Sequence, residues 1–289
     1  MKLISEVKNI NNIEQYNLDG IIISYKPFST TSDLYVDYED IVQINDYCHR
    51  NDKLSILKID KIIEEKEVDE LYEFLDSVHP LSIDYYIFSD MSVLSYFKTK
   101  NELDKLIFSA KTLSCSYNDV LFYQQKGIKV IISNELTLES IIKISELENV
   151  VIDGYGYSNI FYSKRKLLSL FKEAKNLSED VKNEILYIRE ETRKENQPII
   201  ENENGTFIYT SSKYLFFKEI EKLHNLFMFK IESLMIQEEE LIKIINIYNK
   251  GLKGDLSDEN YLELVKIDND VTTSFLYKKP KILKEKSNE

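Results

Sequence analysis

A set of charged and polar residues recurs at matching places in the chain. Lys58 and Asp60, Asp90, Lys111, Asn134 and Glu135, Asp153, and Lys230 and Glu232 each lie at or just past the carboxyl-side end of a short apolar run. If those ends converge, acids and bases form one ring. Such a ring can hold an anionic or polar small molecule. It can also do hydrolysis without a nucleophile, because two carboxylates can position and activate a water. Asp90 with Glu135, or Glu135 with Glu232, are the pairs for that work. Asp90, Glu135, Lys230 and Glu232 are favoured, being within one or two residues of an apolar strand. The plainer alternative is that strand ends are polar anyway and these side chains neutralise one another.

Other chemistry is poorly provided for. There is no His-Glu-x-x-His helix for zinc, no Gly-x-Ser-x-Gly elbow and no phosphate-binding glycine loop after a strand. Gly154-Tyr155-Gly156 is a broken version of the last. His49, His79 and His224 are scattered. His49 directly follows Cys48, and adjacent helical residues do not face each other. No metal and no cofactor is expected on this chain.

The elements that must position the ring are legible in the hydrophobic pattern. Residues 2–7, 20–25, 54–59, 84–89, 106–109, 130–133 and 150–153 are nearly continuous apolar runs. That is how strands read when a parallel sheet is covered on both faces. Between them, 37–47, 68–75, 117–125 and 138–147 carry helical spacing, as Val68, Leu71, Tyr72 and Leu75 illustrate. A late strand at 227–231 precedes a helical stretch at 237–248. Alternating strands and helices predict an α/β fold, a (β/α)8 TIM-like barrel with an insertion before the last strand. An open doubly wound sheet is the alternative. Residues 1–176 would hold barrel strands one to seven. Residues 177–225 would be the insertion, with a β-hairpin turning at Asn204-Gly205, where both residues tolerate positive φ, and a helix over 213–223. Residues 226–280 would hold the last strand and C-terminal helices, and 281–289 a disordered charged tail.

Composition narrows the partners. Hydrophobic residues make up 43%, enough for a globular core. No apolar run approaches the length of a membrane span, and Met1-Lys2-Leu3-Ile4-Ser5-Glu6 does not read as a signal segment. A cytoplasmic protein without a membrane role is expected. The net charge of −13 rules out nucleic-acid binding through the bulk field. RNA contact would need a local basic patch, for which Lys164-Arg165-Lys166 is the best candidate; its bland reading is a solvated loop or helix start. Cys48 and Cys115 are the two cysteines. They cannot form a disulfide framework, nor supply the four thiolates an iron–sulfur cluster usually takes.

Several segments in order resemble one family, the collagenase-like U32 peptidases. Phe122 to Glu139, with Ser133-Asn134-Glu135-Leu136-Thr137-Leu138, resembles the family's sixth-strand region. Asp84 to Asp90 resembles its fourth strand. Asn159 to Leu168 resembles the segment after the seventh. Arg189-Glu190-Glu191-Thr192-Arg193 with Pro198 and Glu203-Asn204-Gly205-Thr206 resembles its hairpin, and Phe229-Lys230-Ile231-Glu232 its eighth strand. The resemblance implies a barrel and one of several roles: peptidase, or factor in tRNA uridine 5-hydroxylation or other hydroxylations that use a cluster on four cysteines. Short cysteine-free members look like partners of cysteine-bearing paralogues, so it implies such a paralogue as partner, and tRNA through that complex. Glu135, Lys230, Glu232 and Arg165 keep the family pattern. The implied catalytic set is Glu135, Glu232 and Lys230, with Asp90, Lys111, Asp153 and Arg165 binding substrate. Departures are many: Asp153-Gly154 replaces His-Gly with no thiol after it, Lys166 stands where a cysteine is usual, Asn134 replaces an arginine, Lys111 a glutamine, Ser233-Leu234 a Gly-Arg, and Glu6-Val7-Lys8 a Pro-Ala-Gly. They leave room for a third role, a catalytically silent scaffold.

Overall fold

In the computed structural model, residues 1–111, 113–177, 182, 184–192 and 194–278 are described. The tail at 281–289 lies outside them. Strands β1 (Lys2–Glu6), β2 (Gly20–Ser24), β3 (Leu54–Ile59), β4 (Tyr85–Phe88), β5 (Leu106–Ser109), β6 (Lys129–Ile131) and β7 (Val150–Gly156) follow one another in parallel. Helices α1 (Tyr38–Arg50), α2 (Val68–Val78), α3 (Met91–Lys100), α4 (Tyr117–Gln124) and α5 (Leu138–Ser145) make the crossovers from β2 onward. Their starts carry the expected caps. Asp37 and Asp40 form a capping box on α1, while Asp90, Ser116 and Thr137 cap α3, α4 and α5.

After β7 the chain leaves the barrel. β8 (Asn159–Ser163), then helix α6 (Leu167–Lys175), then β9 (Ile185–Ile188), β10 (Gln197–Asn202) and β11 (Gly205–Tyr209) build a second, antiparallel sheet in the order β8-β11-β10-β9. β12 (Lys213–Leu215) returns antiparallel to β7. β13 (Met228–Ile231) then enters between β7 and β1, parallel to both, and closes an eight-stranded barrel. Helices α7 (Glu238–Leu252) and α8 (Asp258–Ile267) and a short β14 (Val271–Thr272) beside β12 complete the described chain.

Two expectations change. Residues 213–223 are not a helix but strand β12 followed by a 3-10 turn over Lys218–Lys222. Tyr214, Leu215, Phe216 and Phe217 are all buried, so the run has no polar face for a helix to turn outward. A short continuous apolar run does not distinguish strand from helix by itself. The hairpin turns one residue earlier than read: Asn202 pairs with Gly205, leaving Glu203 and Asn204 in the turn. Gly205 alone has positive φ, +129°. A Cβ there would stand 2.0 Å from the Ser163 carbonyl oxygen, so glycine is needed for close approach of β8.

The core has two layers. Outside the barrel wall, the helices pack on the strands in one large cluster. Inside, Ile4, Ile22, Ile56, Ile87, Ile107, Ile131, Val151 and Met228 form a separate apolar cluster, one residue from each barrel strand. Because strand side chains alternate, the residue two further on in each strand points to the same inner side. Those residues are Glu6, Ser24, Lys58, Ser89, Ser109, Ser133, Asp153 and Lys230. The apolar ring is therefore a floor, and the next level up is polar.

Candidate functional site

Above that floor lies a cleft at the carboxyl-side end of the barrel. It encloses about 1050 Å³ of space, part of it open to solvent. Glu6, Lys58, Asp60, Lys111, Asp153, Lys230 and Glu232 line it, with Glu135 at the rim. This is where barrels of this architecture place their chemistry.

The charges interlock. Lys230 Nζ lies 2.9 Å from Asp153 Oδ1 and 3.3 Å from Glu232 Oε2. Lys111 Nζ lies 2.9 Å from Asp60 Oδ2. Lys58 pairs with Glu6 and donates to the Thr31 carbonyl at 2.7 Å. Asp60 also accepts from Thr30 N–H and Thr30 Oγ1, both at 2.8 Å. The Leu234 N–H donates to Glu232 Oε1 at 3.3 Å. Burial opposes the charges of Lys58, Asp60, Lys230 and Glu232, but partners win. Burial disfavours the charged forms of Lys58 and Lys230, yet the carboxylates of Glu6, Asp60 and Glu232 around the first, and of Asp153 and Glu232 around the second, raise their pKa values. Against the same opposition, Lys111 and Lys58 hold Asp60 below the usual carboxylate range. Lys230, Lys58 and Lys111 do so for Glu232.

The second sheet roofs one side. Asn202 Nδ2 donates to the Thr30 carbonyl at 2.8 Å, Asn204 Nδ2 to the Ser29 carbonyl at 2.9 Å, and Tyr209 OH to Thr31 Oγ1 at 2.8 Å. Residues 29–31 thus tie the roof to Lys58 and Asp60 at once. Lys111 itself has φ of +56°, rare for a side-chain-bearing residue.

The family profile for Peptidase family U32 matches residues 5–286. The chain belongs to peptidase family U32. It is 26% identical over 231 residues to tRNA hydroxylation protein P2 of Bacillus subtilis, covering 77% of this chain and 74% of that one. It is 25% identical over 247 residues to an uncharacterized protease of Methanocaldococcus jannaschii, covering 78% of this chain and 58% of that one. This U32 chain therefore matches less than two thirds of the archaeal relative's length. The solved structure of a U32 peptidase aligns at a TM-score of 0.48 and 12% identity, covering 79% of this chain and 91% of that chain. Phosphoribosyl anthranilate isomerase from Thermotoga maritima aligns at 0.47 and 11%, covering 88% and 100%.

In this U32 barrel the residues singled out from sequence separate into groups. Lys111, Asp153, Lys230 and Glu232 come together in the cleft. Glu135 stands at its exposed rim, and no ion pair of its carboxylate occurs among the described residues. Asp90 is elsewhere engaged: Oδ1 accepts from Ser92 N–H at 2.9 Å and Ser92 Oγ at 2.7 Å, and Oδ2 accepts from Ile63 N–H at 3.1 Å. It caps α3 and does not line the cleft. Arg165 is exposed on the connection between β8 and α6, also outside the lining. Gly154-Tyr155-Gly156 belongs to strand β7 rather than to a phosphate loop. The sequence puts Lys58 and Asp60 in the ring of strand-end charges but outside the implied catalytic and binding sets, and marks Glu6 only as a departure from the family pattern. The signal was available, since Glu6 and Lys58 stand two residues beyond Ile4 and Ile56 of the floor.

The cluster that the family resemblance implies for hydroxylating members does not fit this chain. Cys48 is buried on α1, its thiol pushed up to about 12 by burial, and Cys115 lies exposed in the loop before α4. Two thiols, one of them sealed in the outer core, do not make a cluster site. Among the described residues no three His, Cys, Asp or Glu side chains group as a metal site, and no helix is long and apolar enough to cross a membrane.

Proposed function

We propose that this U32 protein acts in hydroxylation of tRNA uridine, as the cluster-free subunit of a complex with a cysteine-bearing U32 paralogue. The similarity to a tRNA hydroxylation protein supports this reading. The observation that carries it is the alternation of charge in the cleft. Glu232 has Lys230 at 3.3 Å and is drawn on by Lys58 and Lys111. Lys58, Lys111, Lys230 and Glu232 line one cleft, so it offers donors and an acceptor to the same ligand. The edge of a uracil ring presents the complement, carbonyl, N–H, carbonyl. The apolar floor suits the flat face of a base. An anionic small molecule is less well matched, because Lys58, Lys111 and Lys230 are already neutralised by Glu6, Asp60, Asp153 and Glu232.

Peptide hydrolysis is less well supported. A general base works best near the operating pH, and Asp60 and Glu232 are both held below the ordinary carboxylate range. The test is genetic and chemical. In a host strain lacking this chain, mass spectrometry of digested tRNA should show the hydroxylated uridine gone. The wild-type chain should restore it, and Lys230→Met, checked for folding by circular dichroism, should not. Unchanged tRNA in the deletion strain refutes the proposal. Full restoration by Lys230→Met would leave the barrel as a scaffold.

A further inference from the structure

The roof sheet carries a face that its own fold does not use. In α6 the half-buried residues are Leu167, Leu168, Ser169 and Lys172, while Leu170 (52% exposed), Phe171 (56% exposed) and Ala174 face solvent. An amphipathic helix normally does the opposite. The helix is held by polar contacts instead: the Leu167 N–H donates to Thr206 Oγ1 at 2.9 Å and the Leu168 N–H to Glu201 Oε2 at 2.8 Å. Glu201 and Thr206 pair across β10 and β11. They stand on the face of the sheet away from the cluster of Phe207, Tyr162 and Ile200. Phe161, 40% exposed and paired with Ile208, stands on that same outer face.

Charge separates this face from the rest of the chain. Residues 160–177 hold Lys164, Arg165, Lys166, Lys172 and Lys175 against Glu173, a net +4 in a chain of −13, so the remainder carries −17. Lys164 is occupied by Glu64 at 2.9 Å. Arg165, Lys166, Lys172 and Lys175 form no ion pair among the described residues. The strand that bears Phe161 begins at Asn159 and Ile160, which line the cleft. The chain that carries the basic, aromatic face therefore also reaches the cleft, although Phe161 itself lies on the opposite face of the sheet from Tyr209.

The geometry points to this face as the docking surface for the backbone of a single-stranded RNA segment whose base enters the cleft. The inference rests on the proposed function and names the surface that function would use. RNA supplies both complements at once: phosphates for Arg165, Lys166, Lys172 and Lys175, and bases to stack on Phe161 and Phe171. The acidic remainder confines the contact to this patch.

The full chain is titrated with a fluorescent twelve-nucleotide oligouridylate at several KCl concentrations. For a single strand each neutralised phosphate contributes about 0.7 to the log–log salt slope. The quadruple variant Arg165→Gln, Lys166→Gln, Lys172→Gln, Lys175→Gln should lower that slope by about 3. Phe161→Ala or Phe171→Ala should weaken binding by about 5- to 160-fold with the slope kept. No binding by the wild-type chain, or equal binding by the quadruple variant, overturns the inference. Loss of subunit assembly in size-exclusion chromatography with oligouridylate binding intact would also overturn it, marking a protein interface. If the salt slope behaves as stated while the deletion strain keeps its hydroxylated uridine, the RNA surface stands and the proposed function falls. If the deletion strain loses it while the quadruple variant restores it and binds normally, the reverse holds.

Discussion

Cleft and roof both present lysines, and they treat them in opposite ways. In the cleft, Lys58, Lys111 and Lys230 are each locked to a carboxylate. On the roof, Arg165, Lys166, Lys172 and Lys175 have no ionic partner among the described residues. Burial accounts for the difference. A charge taken out of water must be paired or it is prohibitively costly, whereas water already solvates the roof cations. Cleft charges therefore belong to the structure as well as to any chemistry. Roof charges are free to meet a ligand, and their conformational stability should be nearly indifferent to them.

The largest break in that comparison comes from Asp60, whose side chain is 2% exposed. Asp60→Ala strands Lys111 and removes the anchor of Thr30. Removing one partner of a buried pair costs about 3–5 kcal/mol; water reaching the part-exposed Lys111 puts the loss at the low end of that range, and the urea midpoint should fall accordingly. A midpoint within error of wild type would mean that water screens the cleft pairs as it does surface ones. Acid sharpens the same contrast. Folded-state pKa values of Asp60 and Glu232 are lowered. Their stabilising contribution is thus whole above the unfolded carboxylate values, about 4, and drains away as pH falls below that toward the lowered folded values. The raised Lys58 and Lys230 work the other way, contributing fully below about pH 10 and losing it only at more alkaline pH. Urea denaturation between pH 6 and 2 should show wild-type stability falling, and falling less in Asp60→Asn.

A backbone position in the barrel wall gives the next effect. Gly154 precedes Tyr155 on β7, and a Cβ there would lie 1.7 Å from Phe229 Cε1. The ring is fully buried against Phe216 and Tyr248, so it has nowhere to move. Gly154→Ala should cost about 1–3 kcal/mol or more through overpacking, read as a lower thermal midpoint. Phe229→Leu in the same chain should recover part of the loss. Failure of that rescue would place the strain in the backbone rather than the ring.

The barrel was largely legible in the sequence because parallel strands buried on both faces read as unbroken apolar runs. β2, with Gly20, Ile21, Ile22, Ile23 and Ser24 all buried, is such a case. The same property hid β12, since Tyr214 to Phe217 is equally unbroken and carries no period to name its type. Strand ends placed Lys111, Asp153, Lys230 and Glu232 at one cleft, but proximity to a strand end does not reveal side-chain direction. Asp90 turned to cap α3 because the first N–H groups of a helix demand an acceptor. Glu6 was read as a departure from a family pattern, although it pairs with Lys58. Strand alternation counted up from Ile4 identifies it.

The smallest effect belongs to the roof. Lys172→Gln and Lys175→Gln remove charges with no ionic partner among the described residues, on a helix held by Glu201 and Thr206. Surface substitutions of this kind stay within about 0.5 kcal/mol, so the urea midpoint should not move. Lys172 and Lys175 both stand in the last turn of α6, where a cation interacts favourably with the helix dipole. Any small loss on replacing either should therefore shrink as salt is raised. A loss above 1 kcal/mol at either position would mean the roof cations hold the fold together as the cleft cations do, and the division between paired and free charge would fail.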